Sequence, residues 1–135
     1  MKGIVFTTDG KMFVKQFTQP LYKSVGEVVD GWIEIVHPRG LESPYCFICN
    51  EEGLLKDLPL NPIGCVWYRT AEHGCPIAGN IVVMKEDLND RAPDIVGLMD
   101  KEIAMIKEEA MRISGGLIVD LDEQEAENEK AEPAD

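Results

Sequence analysis

The chain has 135 residues, which is enough for one hydrophobic core and too few for two independent ones. Its apolar fraction of 44% and charged fraction of 28% are ordinary for a globular protein and exclude disorder of the whole chain. The net charge is −12, but residues 120–135 contain eight acidic residues and one lysine, which leaves −5 for the rest. This weakly acidic body excludes the basic groove of a protein that binds nucleic acid directly.

The first residues argue against a targeting or membrane segment. The first apolar run is short and is broken at Asp9-Gly10, which is too early for a signal peptide. No later run approaches the roughly 20 apolar residues that a membrane-spanning helix needs. The sequence therefore predicts a cytoplasmic protein that does not enter a membrane.

A β-hairpin is predicted near the start of the chain. Residues 4–8 and 12–17 are rich in β-branched and aromatic side chains, and Asp9-Gly10 between them is a two-residue turn signal. The spacing of the following apolar residues predicts a short helix from residue 21 to Asp30. Gly31 fits the left-handed residue that ends such a helix.

Three further strands and a second short helix are predicted in the middle of the chain. Residues 32–36 and 45–49 have strand composition and are expected to pair antiparallel, and residues 81–84 form another strand. Asn61 and Pro62 are preferred types at the N-cap and the first position of a helix, so they predict a helix start.

The segment that leads to this helix is expected to turn and re-enter the core. Residues 50–53 read Asn-Glu-Glu-Gly, a composition typical of a turn. Leu54 and Leu55 follow directly, and their apolar side chains predict a return to the core.

The longest predicted helix spans residues 92–113, with Asn89 or Asp90 as its cap and Gly115-Gly116 beyond its end. Six apolar residues repeat every three or four positions and predict its buried face: Ile95, Met99, Ile103, Ile106, Ala110 and Ile113. Leu98 and Met105 lie outside this stripe, which predicts contact with a second subunit in a homodimer.

These elements together predict an α+β fold. We expect a small, mostly antiparallel sheet of four to six strands with two short helices and one long C-terminal amphipathic helix. Residues 1–88 form the core domain, residues 89–119 add the long helix and a short strand packed on or beside it, and residues 120–135 form an acidic disordered tail.

The chain resembles a family of small uncharacterised bacterial proteins, a domain of unknown function found in bacterial genomes, phages and mobile elements. The resemblance covers roughly residues 1–84 and rests on the strand end at Thr8-Asp9-Gly10 and on residues 31–34, 50–61 and 77–83. It implies a fold, but the family carries no established activity, cofactor or catalytic residue to transfer.

The cysteines raise the question of a zinc site. Cys46, Cys49 and Cys75, with His73 or Cys65 as a fourth ligand, are residue types that bind zinc. Residues 46 and 49 of a strand point to opposite faces, however, and a zinc knuckle needs both thiolates on one tight turn. The resemblance implies apolar strand positions for both and an apolar or small helix position for Cys65. Buried packing is therefore the favoured interpretation.

No catalytic constellation stands out. Cys75 with His37 or His73 has the residue types of a thiol nucleophile and base, but nothing in the sequence fixes either histidine against it. The acidic pairs at residues 51–52 and 86–87 sit beside turns and are interpreted as solvated. We therefore expect a protein that is not an enzyme.

Three functional hypotheses follow. The leading one is an accessory or interaction protein of bacterial or mobile-element origin that binds another protein, with Leu98 and Met105 at a homodimer contact. The second is a zinc-binding protein that uses the cysteines above. The third, suggested by the net charge, is an acidic mimic of DNA whose carboxylates occupy a basic partner.

Overall fold

The structure, a computed structural model, describes residues 1–89, 94–122 and 125–126. Within them the α+β class is confirmed, although the sheet has seven strands instead of four to six, and there are four helices. The elements are β1 (Lys2–Phe6), β2 (Lys11–Gln16), α1 (Leu21–Val29), β3 (Ile33–Val36), β4 (Tyr45–Asn50), α2 (Pro62–Tyr68), α3 (Thr70–His73), β5 (Ile81–Asp87), β6 (Asp94–Val96), α4 (Asp100–Ile113) and β7 (Val119–Asp120).

The sheet has the strand order β3-β4-β5-β1-β2-β7, and β6 pairs with β5 beside the end of β1. Every pair is antiparallel except β2 with β7, so the sheet is mixed. The predicted hairpin is confirmed as β1 and β2, which meet in the register Val5↔Phe13, and the predicted pairing of the next two strands is confirmed as β3 and β4. None of the helices in the described part of the chain is long and apolar enough to cross a bilayer.

Helices cover both faces of the sheet. Helix α1 buries Val25 and Val29 against one face, beside Ile48 and Val82. Helices α2 and α4 cover the other face, where one apolar cluster joins them to strand residues: Ile4, Phe6, Phe47 and Val83 from strands, Ile63 and Trp67 from α2, and Ile103, Ile106 and Ala110 from α4. Trp67 meets Phe6 edge-on with ring centroids 5.1 Å apart.

The predicted helix over residues 92–113 is wrong at its beginning. Helix α4 starts at Asp100 and has 14 residues, residues 94–96 are strand β6, and residues 90–93 lie outside the described part. The Leu98 amide donates to the Lys2 carbonyl at 2.8 Å, and a Cβ on Gly97 would lie 2.7 Å from the Lys2 amide nitrogen. This segment therefore follows the sheet edge, where Ile95 belongs to β6 and not to a helix.

Three smaller expectations also change. Leu54 and Leu55 do not return to the core: their side chains are 53% and 85% exposed. The left-handed residue after α1 is Asp30, with φ 65°, instead of Gly31. In the acidic C-terminal segment, residues 123–124 and 127–135 lie outside the described part. Leu121 and Ala126 of the same segment are buried against the face of the sheet that α1 covers.

A buried asparagine fixes the start of α2. Asn61 is fully buried, and its side-chain oxygen accepts from the Gly64 amide at 2.8 Å, as the sequence predicted for an N-cap. Its Nδ2 donates to the Phe6 carbonyl at 2.9 Å and to the Gly79 carbonyl at 3.0 Å. One carboxamide thus joins the end of β1, the start of α2 and the turn before β5.

Replacing Asn61 by Ala is expected to lower the free energy of unfolding by about 2–4 kcal/mol, because the cap is lost and two buried carbonyls each lose a hydrogen bond. Asn61→Asp keeps the cap acceptor and loses the donors, so it should also be destabilised. Chemical denaturation measures both, and the exposed Asn89→Ala is the matched control. Wild-type stability in Asn61→Asp would show that the two carbonyl contacts contribute little.

The start of α4 is held to the sheet by Glu102. One of its oxygens accepts from Lys85 Nζ at 2.7 Å and from the Met99 amide at 2.9 Å, and the other accepts from the Tyr45 hydroxyl at 2.8 Å. Burial by itself raises the pKa of Glu102, but these hydrogen bonds and the charge of Lys85 outweigh it, and the pKa lies below the ordinary 4.5.

A carboxylate whose pKa is lower in the folded state stabilises the fold above its unfolded pKa and loses that contribution as the pH falls through the folded value. Glu102→Gln should therefore cost about 1–2 kcal/mol at pH 7, and its deficit relative to wild type should shrink below pH 4.5. Thermal unfolding between pH 3 and 7 tests this, with the exposed Glu108→Gln on the same helix as control. A deficit independent of pH would contradict it.

Candidate functional site

The two cysteines of β4 lie on opposite faces of the sheet. Cys49 belongs to the core under α2 and α4, while Cys46 pairs with Met84, a residue of the core under α1. Both are buried, and burial raises the pKa of each thiol to about 12, assisted by Glu86 near Cys46 and Glu34 near Cys49. These thiols are protonated at neutral pH and act as apolar core groups.

Of the other proposed zinc ligands, Cys65 and His73 are hydrogen-bonded to backbone groups. The Cys65 sulfur accepts from the Ile77 amide at 3.3 Å, and Cys75 is exposed. His73 donates from Nε2 to the Tyr68 carbonyl at 2.8 Å and accepts at Nδ1 from the Cys75 amide at 3.1 Å, which assigns its neutral tautomer. No cluster of three or more metal-ligating side chains occurs among the described residues, so the structure does not bring the proposed ligands together.

The cysteine environments predict an order of reactivity. In the folded protein Cys75 should react rapidly with a chromogenic disulfide reagent at pH 8, whereas Cys46 and Cys49 should react only after denaturation. Cys75→Ser should remove the rapid phase and Cys65→Ser should leave it intact. A rapid phase that persists in Cys75→Ser would mean that the core thiols open to solvent far more readily than their burial implies.

The two residues proposed for a dimer contact, Leu98 and Met105, differ in their exposure to solvent. Leu98 is buried, at 5% exposure, in the core under α2 and α4, so its assignment to an outer surface is wrong. Periodicity placed it on the wrong side because the helix begins two residues after it. Met105 is 48% exposed on α4. A homodimer contact through this pair of side chains would need Leu98 to leave the core.

Strand β3 lies at one end of the sheet and has a free outer edge. The Glu51 amide donates to the Trp32 carbonyl at 2.8 Å, which makes Trp32 and Glu51 a hydrogen-bonded pair of the antiparallel ladder. Bonded pairs alternate along such a ladder, so Glu34 and Val36 also bond to β4. Ile33 and Ile35 therefore direct their N–H and C=O groups away from the sheet, and no described residue accepts from or donates to them.

A groove adjoins this edge. It has a volume of about 320 Å³ and is lined by Glu34 of β3, by the carboxylate residues Glu51 and Glu52, and by Leu54 and Leu55. The loop that carries them is anchored at its first turn, because the Asn50 side chain donates to the carbonyls of Val29 and Asp30 at the end of α1 and accepts from the Glu52 amide. Apolar and acidic groups thus face a strand edge from a fixed loop.

Exposed apolar side chains extend this surface along the strand. Trp32, at the start of β3, is 66% exposed, and Ile35 is 40% exposed. We call β3, Trp32 and the loop residues 51–55 the edge surface. Sequence reasoning missed it, because Trp32 and Leu54 have the composition of core residues. The one local signal was Glu34, a charge inside an otherwise apolar strand, which is typical of an edge.

Comparison with known proteins adds a family and no activity. No curated protein and no solved structure matches the chain. The family model that matches covers residues 1–110, so it extends past the expected limit near residue 84 and includes β6 and most of α4. The resemblance stated from the sequence is confirmed: the chain belongs to the family described as a domain of unknown function, DUF3846.

Proposed function

We propose that the protein is a binding module without catalytic activity that captures an extended segment of another protein along the edge surface. The observation that carries this proposal is the pair of outward backbone positions, Ile33 and Ile35, beside exposed apolar and acidic side chains. An added strand would bond to these groups, and its side chains would contact Trp32 and the groove. A cytoplasmic location and a bacterial or mobile-element origin are part of the same proposal.

The charges of the edge surface favour a basic partner. Glu34, Glu51 and Glu52 line the groove, and the chain as a whole carries a net charge of −12. A residue of the added strand directly opposite Glu34 lies on the same face of the sheet, where a Lys or Arg would pair with this carboxylate. Its neighbours lie on the other face beside Ile33 and Ile35, where apolar side chains fit. The segment should therefore read apolar, basic, apolar.

A second copy of the chain is a poorer occupant of the same edge. The antiparallel register that uses both outward residues of each copy pairs Ile33 with Ile35 of the other copy, which puts Glu34 opposite Glu34. Like charges directly opposite one another destabilise a strand pair. The described residues offer no observation that favours the zinc or the DNA-mimic hypothesis over this one.

Peptide binding tests the proposal. The probe is a blocked peptide with a Val-Lys-Val core flanked by threonines, and the readout is the change in amide NMR signals during titration. The largest shifts are expected at Ile33 and Ile35, because their backbone groups acquire partners. The absence of shifts at millimolar peptide, or shifts centred elsewhere, would contradict the proposal.

Variants of Ile35 and Glu34 test separately how backbone hydrogen bonds and charge contribute to peptide binding. Ile35→Pro removes an outward N–H that β4 does not use, and proline is tolerated at such edge positions, so binding should weaken about tenfold while the fold persists. Ile35→Thr keeps the N–H and is the matched control.

Glu34→Lys should reverse the preference between Val-Lys-Val and Val-Glu-Val cores by about threefold each way. A dimer seen by light scattering that Ile35→Pro abolishes would instead assign the edge to a second copy.

A further inference from the structure

A basic cavity lies beyond the C-terminal end of β3. It has a volume of about 590 Å³ and is lined by both histidines of the chain, His37 and His73, and by Arg39, Arg69 and Tyr68. The chain has 13 basic residues against 25 acidic ones, so this concentration of cationic and imidazole groups departs from the composition of the whole. The volume is in the range of small-molecule sites.

A close backbone contact forms the cavity. The Gly40 amide donates to the Trp67 carbonyl at 2.9 Å, and a Cβ at residue 40 would lie only 2.8 Å from Trp67 Cα, so only glycine permits this approach. Arg39 precedes Gly40, and Arg69 follows Trp67 by two residues. The contact therefore brings two arginines from distant parts of the chain to one opening.

The positive charges of the two arginines are only weakly neutralised by carboxylates of the described residues. Arg39 makes no ion pair or hydrogen bond with any residue that the structure describes. Arg69 approaches Glu72 at 3.6 Å with both side chains about half exposed, a geometry in which an ion pair is weak. His73 uses both ring nitrogens on backbone groups, so it shapes the wall and does not offer a donor.

The second imidazole of the cavity, that of His37, has one ring nitrogen available to a ligand. His37 contacts Glu86 through Nε2 at 2.5 Å, and this contact leaves its Nδ1 for a further hydrogen bond. With neutral histidines, Arg39, Arg69 and Glu72 give the lining residues a formal charge of +1, which favours a compact anion over a polyanion. Guanidinium groups bind both carboxylate and phosphate oxygens in a bidentate manner, and a phosphate group has enough oxygens to contact two guanidinium groups at once.

We infer that this cavity binds a small molecule through a phosphate group, with Arg39 and Arg69 as the contacting cations. The net charge of −12 repels long polyanions, which favours a small phosphorylated compound over a nucleic acid. The site is separate from the edge surface, since none of the residues that line the cavity also lines the groove. Variants of Arg39 and Arg69 therefore test this inference without altering a residue of the edge surface.

The experiment titrates the full chain with inorganic phosphate, a nucleoside monophosphate and a single-stranded decanucleotide, each followed by amide NMR at one constant ionic strength. Phosphate and the mononucleotide should shift the amide signals of His37, Arg39 and Gly40 and of residues 68–75. The mononucleotide should bind at least about tenfold more weakly to the Arg39→Ala/Arg69→Ala variant, and Lys23→Ala on the opposite face of the sheet should bind as wild type does.

Three results would overturn the inference. The first is the absence of any shift at about 50 mM phosphate, a concentration high enough to detect weak oxyanion sites. The others are equal affinity of the mononucleotide for the double variant and wild type, and a decanucleotide that binds far more tightly than the mononucleotide at the same residues. Should the double variant unfold, Arg39→Ala alone decides, because this exposed side chain has no partner within the described fold. Arg39→Lys, which keeps the charge and loses the bidentate geometry, should lie between wild type and Arg39→Ala.

Discussion

The buried carboxamide of Asn61 is the interaction on which the remaining architecture depends. It bonds one amide of α2 and the carbonyls of Phe6 and Gly79, and so joins the end of β1, the start of α2 and the turn before β5 inside the core. Asn50 acts in the same way on the other side of the sheet, where it donates to Val29 and Asp30. Two asparagines thus fix both ends of residues 51–60, and the intervening loop keeps its position without burying its leucines.

This anchoring explains how a small domain can present apolar groups without collapsing around them. Leu54 and Leu55 remain exposed because the loop is held by polar contacts at its ends and not by its own side chains. A surface that is fixed before binding loses less conformational freedom on binding than a mobile one. The edge of β3 and the groove beside it therefore have the rigidity that strand addition requires.

Local chemistry made several elements predictable from the sequence. The turn at Asp9-Gly10 and the cap at Asn61 depend on neighbouring residues, and the alternation that separates Cys46 from Cys49 is a property of any strand. The start of α4 was not predictable in this way, because apolar residues such as Leu98 fit a helical period whether or not the segment is helical. Contact with Lys2, nearly a hundred residues away, decides that it follows the sheet.

The candidate sites depend even more on distant contacts. That β3 is an edge follows from the order of all the strands, and that Arg39 meets Arg69 follows from the approach of Gly40 to Trp67. Glu34 has a meaning in the sequence and another in the folded sheet. In the sequence it is one charge in an apolar strand; at the edge it opposes pairing of the strand with a copy of itself and leaves pairing with a basic segment open. In the proposed complex, the same carboxylate that disfavours pairing of the edge with its own copy would favour a basic segment.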